Sequence, residues 1–289
     1  MRPETELWIF AAGEVTGHSP STSPSSSLSS NDEPDFCQDC KNAVLELLDY
    51  MSTLPQPPLH PDNLPALELA KQHEKEYPET GPQAQYPSSP GLYMRHLLLP
   101  HVVTLGACHH KVVDICAEAG LVRQEFPDPH ALLSKFLFKV SDLPQTRELP
   151  KGLRWGEMKD SDIPVVQART SIPRTTRTLL SLKSVGVFDE TETAIAWAFL
   201  GLDGSLTTLH TETEYRGKGI AKAVAVKIFR EHAPALAVDR HGNSWAHADV
   251  YMGNLQSETV CKSLGGQPMV KIYWVRIDLD KAGALATKS

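Results

Sequence analysis

The sequence predicts an α/β protein in two parts, and three observations lead there. In the second half, short β-branched and aromatic runs alternate with helical periodicity in the order strand, two helices, three strands, helix, strand, helix, strand. In the first half the same alternation recurs on a longer scale, interrupted by prolines. Between them residues 144–150 are polar and flanked by prolines, which places a domain boundary near residue 150.

Each element has its own warrant. A short strand is expected over 7–12, and residues 17–35 are rich in Ser and Pro with little to bury, as in an inserted loop. Helical periodicity runs through 37–53, with Ala43, Leu47, Leu48 and Met51 on one face. Residues 55–90 are proline-rich and hold a helix over 66–77. A strongly apolar run over 94–104 precedes a helix over 111–119, where Val112, Ile115, Cys116 and Ala119 share a face, and a strand over 133–140. Past the boundary, a strand over 153–158 leads into Asp160-Ser161-Asp162, which supplies capping chemistry for a helix carrying Ile163, Val166 and Ala168. A second helix spans 174–182. Strands over 184–189, 193–201 and 205–211 follow, joined by short turns, the last through Leu202-Asp203-Gly204, so they run antiparallel. A helix over 219–231, a strand over 244–250, a short helix after Asn254 and a strand over 269–279 complete the order. Trp155, Trp197 and Trp274 read as core residues.

Composition excludes several classes. With 289 residues and 41% hydrophobic content, the chain can bury a core in each part. A net charge of −7 argues against nucleic acid as the main partner, and Arg169, Arg174 and Arg177 read as a solvated face. No apolar run approaches the ~18 residues of a membrane span, and the start lacks a leader pattern, so a cytoplasmic or nuclear location is expected. Five cysteines form no even framework. Cys37-x-x-Cys40 is a lone pair without the second tight ligand pair of a zinc site, so no metal is expected.

The most informative stretch is Leu206-Thr-Thr-Leu-His-Thr-Glu-Thr-Glu-Tyr-Arg-Gly-Lys-Gly-Ile-Ala221, where a strand feeds a basic, glycine-bearing turn that opens into a helix. Such a turn offers unpaired backbone N–H groups at the positive end of a helix, a natural cradle for pyrophosphate. Gly217 and Gly219 let a ligand approach the backbone, and Arg216 and Lys218 add positive charge. A P-loop is excluded because Gly follows Lys218, and a dinucleotide fingerprint because Lys222 stands where a third small residue is needed.

Arg216, Gly219 and Ala221 fit Arg-x-x-Gly-x-Ala, and the later Asn254-Leu-Gln-Ser257 and Leu264-Gly265-Gly266 fit a second block at matched spacing. In these features the region from Lys151 to Lys281 resembles the GCN5-related N-acetyltransferase superfamily, closest in style to glycine N-acyltransferase-like and FR47-like proteins. That resemblance implies a mixed, mostly antiparallel sheet with helices on both faces, and acetyl-CoA or another acyl-CoA as co-substrate. The partners implied are that acyl-CoA and an amine acceptor. It also implies that the strands over 205–211 and 244–250 splay apart around the pantetheine arm, which pairs with backbone groups near Leu209 and Thr211. Ile220 and Ala221 would complete the phosphate loop. Asn254 either caps its helix or bonds the pantetheine, and Ser257 faces the same cleft. The first half resembles the degenerate N-terminal lobe of glycine N-acyltransferase-like proteins, or is an unrelated α/β extension.

The amine must lose a proton, and His210, Glu212, His247 and Asp249 are the candidates. Glu212, nearest the cradle, is the first choice and Asp249 the second. The family's usual tyrosine, which protonates the leaving thiolate, is Cys261 here, and Gly266 replaces a usual Phe. Cys261, Tyr251 or Ser257 through water are the candidate acids, or CoA departs as the thiolate. The function expected is N-acyl transfer, with a non-catalytic acyl-CoA-binding module as the alternative.

Overall fold

The structure is a computed structural model and describes residues 6–7, 9–11, 14, 36–55, 58–59, 61, 64–76, 98–99, 101–123, 132–146, 148–170 and 174–283. The insertion expected over 17–35 and most of the proline-rich stretch after residue 76 lie outside the described residues. Two compact units emerge: Met1–Leu132 with Ile272–Ser289, and Leu133–Lys271.

The first unit contains β1 (Glu6–Leu7), α1 (Gln38–Ser52), α2 (Leu64–Glu76), β2 (Val102–His109) and α3 (His110–Glu118). To these it adds the far part of β9 (Gln267–Asp278) and α8 (Leu279–Gly283). Strand β2 lies parallel to β1 and antiparallel to β9, with Val103 opposite Ile277, and a bulge between Leu105 and Cys108 where Ala107 takes φ of 46°. Its core joins Val44, Leu48, Leu105, Val112, Cys116, Val275, Ile277 and Ala282. Helix α1 buries Cys40, Val44, Leu48 and Met51, while Leu47 stays 39% exposed. The expected face is therefore rotated by one position, because Cys40 extends the i, i+4 row through Val44 and Leu48.

The second unit begins with β3 (Leu133–Lys139), then β4 (Arg154–Gly156), α4 (Ile163–Ala168), α5 (Thr176–Ser181), β5 (Lys183–Phe188), β6 (Ala194–Leu200) and β7 (Leu206–Thr211). Helix α6 (Ile220–His232), β8 (Trp245–Tyr251), α7 (Leu255–Ser263) and the start of β9 follow. The division precedes the boundary expected near residue 150, because β3 pairs antiparallel with β8 along its whole length, from Leu133 opposite Tyr251 to Lys139 opposite Trp245. The chain also re-enters the first unit at Ile272, which a cut at one point does not anticipate.

Strands β4 to β7 form an antiparallel sheet in sequence order. Every residue of β6 is buried, as a strand covered on both faces requires. On one face Val185, Ala196, Ala198 and Leu200 pack against Val224, Ile228 and Phe229 of α6. On the other, Trp197 and Phe199 pack against Ile163 and Val166 of α4 and Leu179 of α5. Each of these Val, Leu, Ile and Phe side chains contributes about 1.5–3 kcal/mol of burial. The result is a mixed α/β fold with antiparallel sheets and helices on both faces, as the sequence predicts.

Candidate functional site

Helix α6 starts at Gly219, which takes the left-handed conformation (φ 79°, ψ 6°) and leaves the helix without a side-chain cap or an acidic residue in its first turn. The N–H groups of its first turn therefore have no partner within the helix, and the dipole there is positive. Gly217 is left-handed too (φ 75°), and a Cβ at either glycine would meet no atom within 4 Å. These glycines are needed for backbone conformation, and the space above them is open. A cavity of about 360 Å³ lies against this turn, lined by Gly217, Lys218, Gly219, Ile220, Lys222 and Ala223 together with residues 145, 146 and 148–150. The Lys218 ammonium sits 5.1 Å from the centre of the Tyr215 ring. Arg216 does something the sequence did not indicate: its Nε donates to the carbonyl of Thr211 at 2.9 Å, tying the turn to the end of β7.

Among the described residues, Ser205, just before β7, forms a parallel bridge with His247 of β8, and the His247 N–H donates to the carbonyl of Gly204. Beyond it, among the described residues, β7 pairs with β6 and β8 with β3, so no ladder joins the facing edges of β7 and β8 on the side where β7 leads to α6. A bulge in β7 sets Thr208 and Leu209 opposite Ala198 alone, with Thr208 at φ 51°. Buried Oγ1 atoms of Thr208 and Thr211 have no hydrogen-bond partner. An uncapped helix start, two open glycines and an edge with orphaned hydroxyls fit a ligand that combines a pyrophosphate with an extended polar arm, as an acyl-CoA does.

On the α4–α5 side of the sheet, His210 stacks on Trp197 with ring centres 4.7 Å apart. Its Nε2 lies 3.5 Å from Glu212 Oε2, and Glu212 Oε1 accepts from Arg169 Nε at 3.0 Å. The bulge precedes this pair, so His210 and Glu212 keep the common face that alternation predicts. Burial lowers the pKa of His210, only partly opposed by Glu212, so the ring is neutral at neutral pH.

The other histidine is held differently. His247 Nε2 lies 3.2 Å from Asp203 Oδ2, its Nδ1 lies 3.4 Å from Asp249 Oδ1, and Lys135 Nζ donates to Asp249 at 2.7 Å. Asp203 also accepts from the backbone N–H and hydroxyl of Ser205. Burial disfavours charge on His247, yet hydrogen bonds to the two carboxylates outweigh it and raise its pKa. Burial would raise Asp249, but His247 and Lys135 hold it below its ordinary value. A carboxylate so stabilised is a poor proton acceptor. Asp249 acts as part of a pin at the point where β7 and β8 part, and Asp203 and Lys135 belong to that pin although neither stood out in the sequence.

The remaining expected residues separate. Asn254 caps α7 by accepting from the Ser257 N–H at 3.2 Å, so both serve the helix start. Cys261 is 3% exposed within the core, and burial pushes its thiol up to about 12. It packs within that core. A Cβ on Gly266 would fall 2.3 Å from the Phe138 ring of β3, which occupies the space that a Phe at 266 would need.

Residues 184–275 match the family model described as FR47-like protein, and residues 1–136 match that of the acyl-CoA N-acyltransferase verG N-terminal domain. The chain thus carries a match to an acyl-CoA N-acyltransferase N-terminal domain in its first half and to an FR47-like domain in its second. Curated proteins give no match. Among solved structures, the chain is similar to a Drosophila protein at 16% identity, over 82% of this chain and 96% of that one, with a TM-score of 0.48. A GCN5-related N-acetyltransferase from Sphaerobacter thermophilus is similar at 13% identity over 64% of this chain and 63% of that one, TM-score 0.42. So is a tandem GNAT protein from the clavulanic acid biosynthesis pathway, at 13% over 64% and 67%, TM-score 0.41. No described helix is long and apolar enough to cross a membrane, and the described residues include no group of three or more metal-ligating side chains.

Proposed function

We propose that the second unit transfers an acyl group, acetyl by preference, from acyl-CoA directly to an amine. The observation that carries this is the pair of unladdered β7 and β8 edges beyond the Ser205–His247 bridge, beside an uncapped α6 start with two left-handed glycines. In this reading the first-turn N–H groups from Ile220 to Lys222, with Lys218, hold the pyrophosphate. The backbone of β7 from Leu209 to Thr211 lines the acyl arm, and an N–H there stabilises the charge that grows on the thioester oxygen. Glu212, oriented by Arg169 and backed by neutral His210, takes the amine proton. Tyr251, exposed at the end of β8, returns a proton to the leaving thiolate in this reading.

Binding without transfer is the second reading, favoured by the burial of Cys261 where the family carries its acid. The two separate in one experiment: calorimetric titration of the full chain with acetyl-CoA and longer acyl-CoAs, then CoA-thiol release with and without pooled amines. Amine-dependent release supports transfer. Saturable binding with no release supports the binding module, and absence of binding removes the cradle assignment.

A further inference from the structure

Cys37 and Cys40, set apart in the sequence as a lone Cys-x-x-Cys, acquire a geometry in the first unit. Cys37 is the N-cap of the 15-residue helix α1, in extended conformation (φ −63°, ψ 166°), and Cys40 lies in the first turn. Their sulfurs are 3.5 Å apart. Residues three apart at a helix start have Cα atoms about 5 Å from one another, inside the span a disulfide bridges without backbone movement. Cys37 is half-buried and Cys40 buried, so Cys37 is the more accessible of the two. The remaining cysteines contrast with them. Cys108 and Cys116 are 1% and 0% exposed, and burial raises both thiols, Cys116 to about 12. Cys261 is buried in the other core.

We propose that Cys37 and Cys40 form a reversible dithiol–disulfide site, with Cys37 the attacking thiol and Cys40 the resolving one, and that its co-reactant is a small-molecule disulfide of the glutathione class. Exchange proceeds through the thiolate, which a helix N-terminus favours. The Cys37 thiolate attacks one sulfur of the oxidised disulfide, forms a mixed disulfide and expels one glutathione thiolate. Cys40, deprotonated in turn, attacks Cys37 Sγ, closes the intramolecular bond and expels the second. Two protein thiols lose two electrons and two protons, and one glutathione disulfide gains them as two glutathione thiols. The inference is independent of the acyl-transfer reading, since every residue it uses lies in the first unit.

The test equilibrates the full chain in glutathione buffers of rising oxidised fraction, blocks residual thiols with maleimide, and maps products by mass spectrometry. Expected are the loss of two blockable thiols per chain, a linked peptide joining Cys37 to Cys40, and full reversal on adding reduced glutathione. Cys40→Ser should accumulate one glutathione on Cys37, and Cys37→Ser should lose both the link and the adduct. The wild-type peptide map decides the matter even if a variant folds poorly. A chain that keeps both thiols in fully oxidised glutathione, or links Cys37 or Cys40 elsewhere, overturns the proposal.

Discussion

Replacing Gly219 separates backbone geometry from electrostatics at the proposed cradle. Its φ of 79° costs any other residue about 1–2 kcal/mol. No further steric term applies, since an added Cβ meets nothing within 4 Å. Gly219→Ala should therefore lower Tm by a few degrees and leave acyl-CoA binding within about threefold of wild type. Gly219→Glu carries the same backbone cost, and its carboxylate at a helix start returns roughly 0.3–1 kcal/mol, so it should be no less stable than the alanine variant. The same carboxylate would stand about 4–6 Å from a bound pyrophosphate. One pair of like charges at 4 Å costs about 1 kcal/mol in water and about 4 at an effective dielectric of 20. The turn is exposed, so a value near 2 kcal/mol is expected, roughly a thirtyfold weaker Kd for Gly219→Glu than for Gly219→Ala, narrowing as salt is added. Calorimetry on both variants with acetyl-CoA reads this ratio directly. Equal affinities, with both proteins folded, would refute the placement of the anion on α6.

Other consequences are open to measurement. Glu212→Gln should reduce kcat by roughly 10²–10⁴ with little change in acyl-CoA affinity, and kcat/KM should fall as pH drops through the lowered pKa of His210, below 6.5. A His210→Asn variant that keeps that limb of the profile would remove His210 from the proton path. The pin at His247 makes stability pH-dependent: its raised pKa contributes stability present below 6.5 and lost as pH climbs through the folded value. The depressed Asp203 and Asp249 contribute stability present above 3.8 and lost in acid. His247→Gln should flatten the alkaline decline, read as Tm against pH. Cys261→Ala should cost roughly 1–2 kcal/mol of stability through the cavity it leaves while kcat stays near wild type. Gly266→Ala should destabilise by about 1–3 kcal/mol through overpacking against Phe138, and adding Phe138→Leu should recover part of that in chemical denaturation.

Much of the second unit was legible because its signals are local. The periodicity of 205–211 and 219–231, the glycines of the turn and the capping Asn254 act within a few residues of themselves, and the elements appear within a residue or two of their expected bounds. What was not legible depends on distant partners. Strand β3 reads locally as the end of the first half, and only its pairing with β8, more than a hundred positions later, assigns it to the second unit. Asp203 carries an ordinary turn signal and Lys135 an ordinary strand position, so nothing local marks them as partners of His247 and Asp249. Cys261 differs again: the motif marks the position for chemistry, while its apolar surroundings, which depend on distant residues, are not visible locally. For α1 the periodicity marked the face of Ala43 and Leu47, and the core it meets buries the adjoining row of Cys40, Val44 and Leu48 instead.

The first unit is assembled from both ends of the chain: Val275, Ile277, Leu279 and Ala282 close a core begun by Val44, Leu48 and Leu105. During synthesis its hydrophobic surface must wait until nearly the whole polypeptide has emerged, whereas the second unit, being one uninterrupted segment, can form earlier. A chain stopped short of β9 would leave Val103 and Leu105 on an unpaired edge, exposed to aggregation and proteolysis. Loss of the last few dozen residues should therefore show itself first at the beginning of the protein.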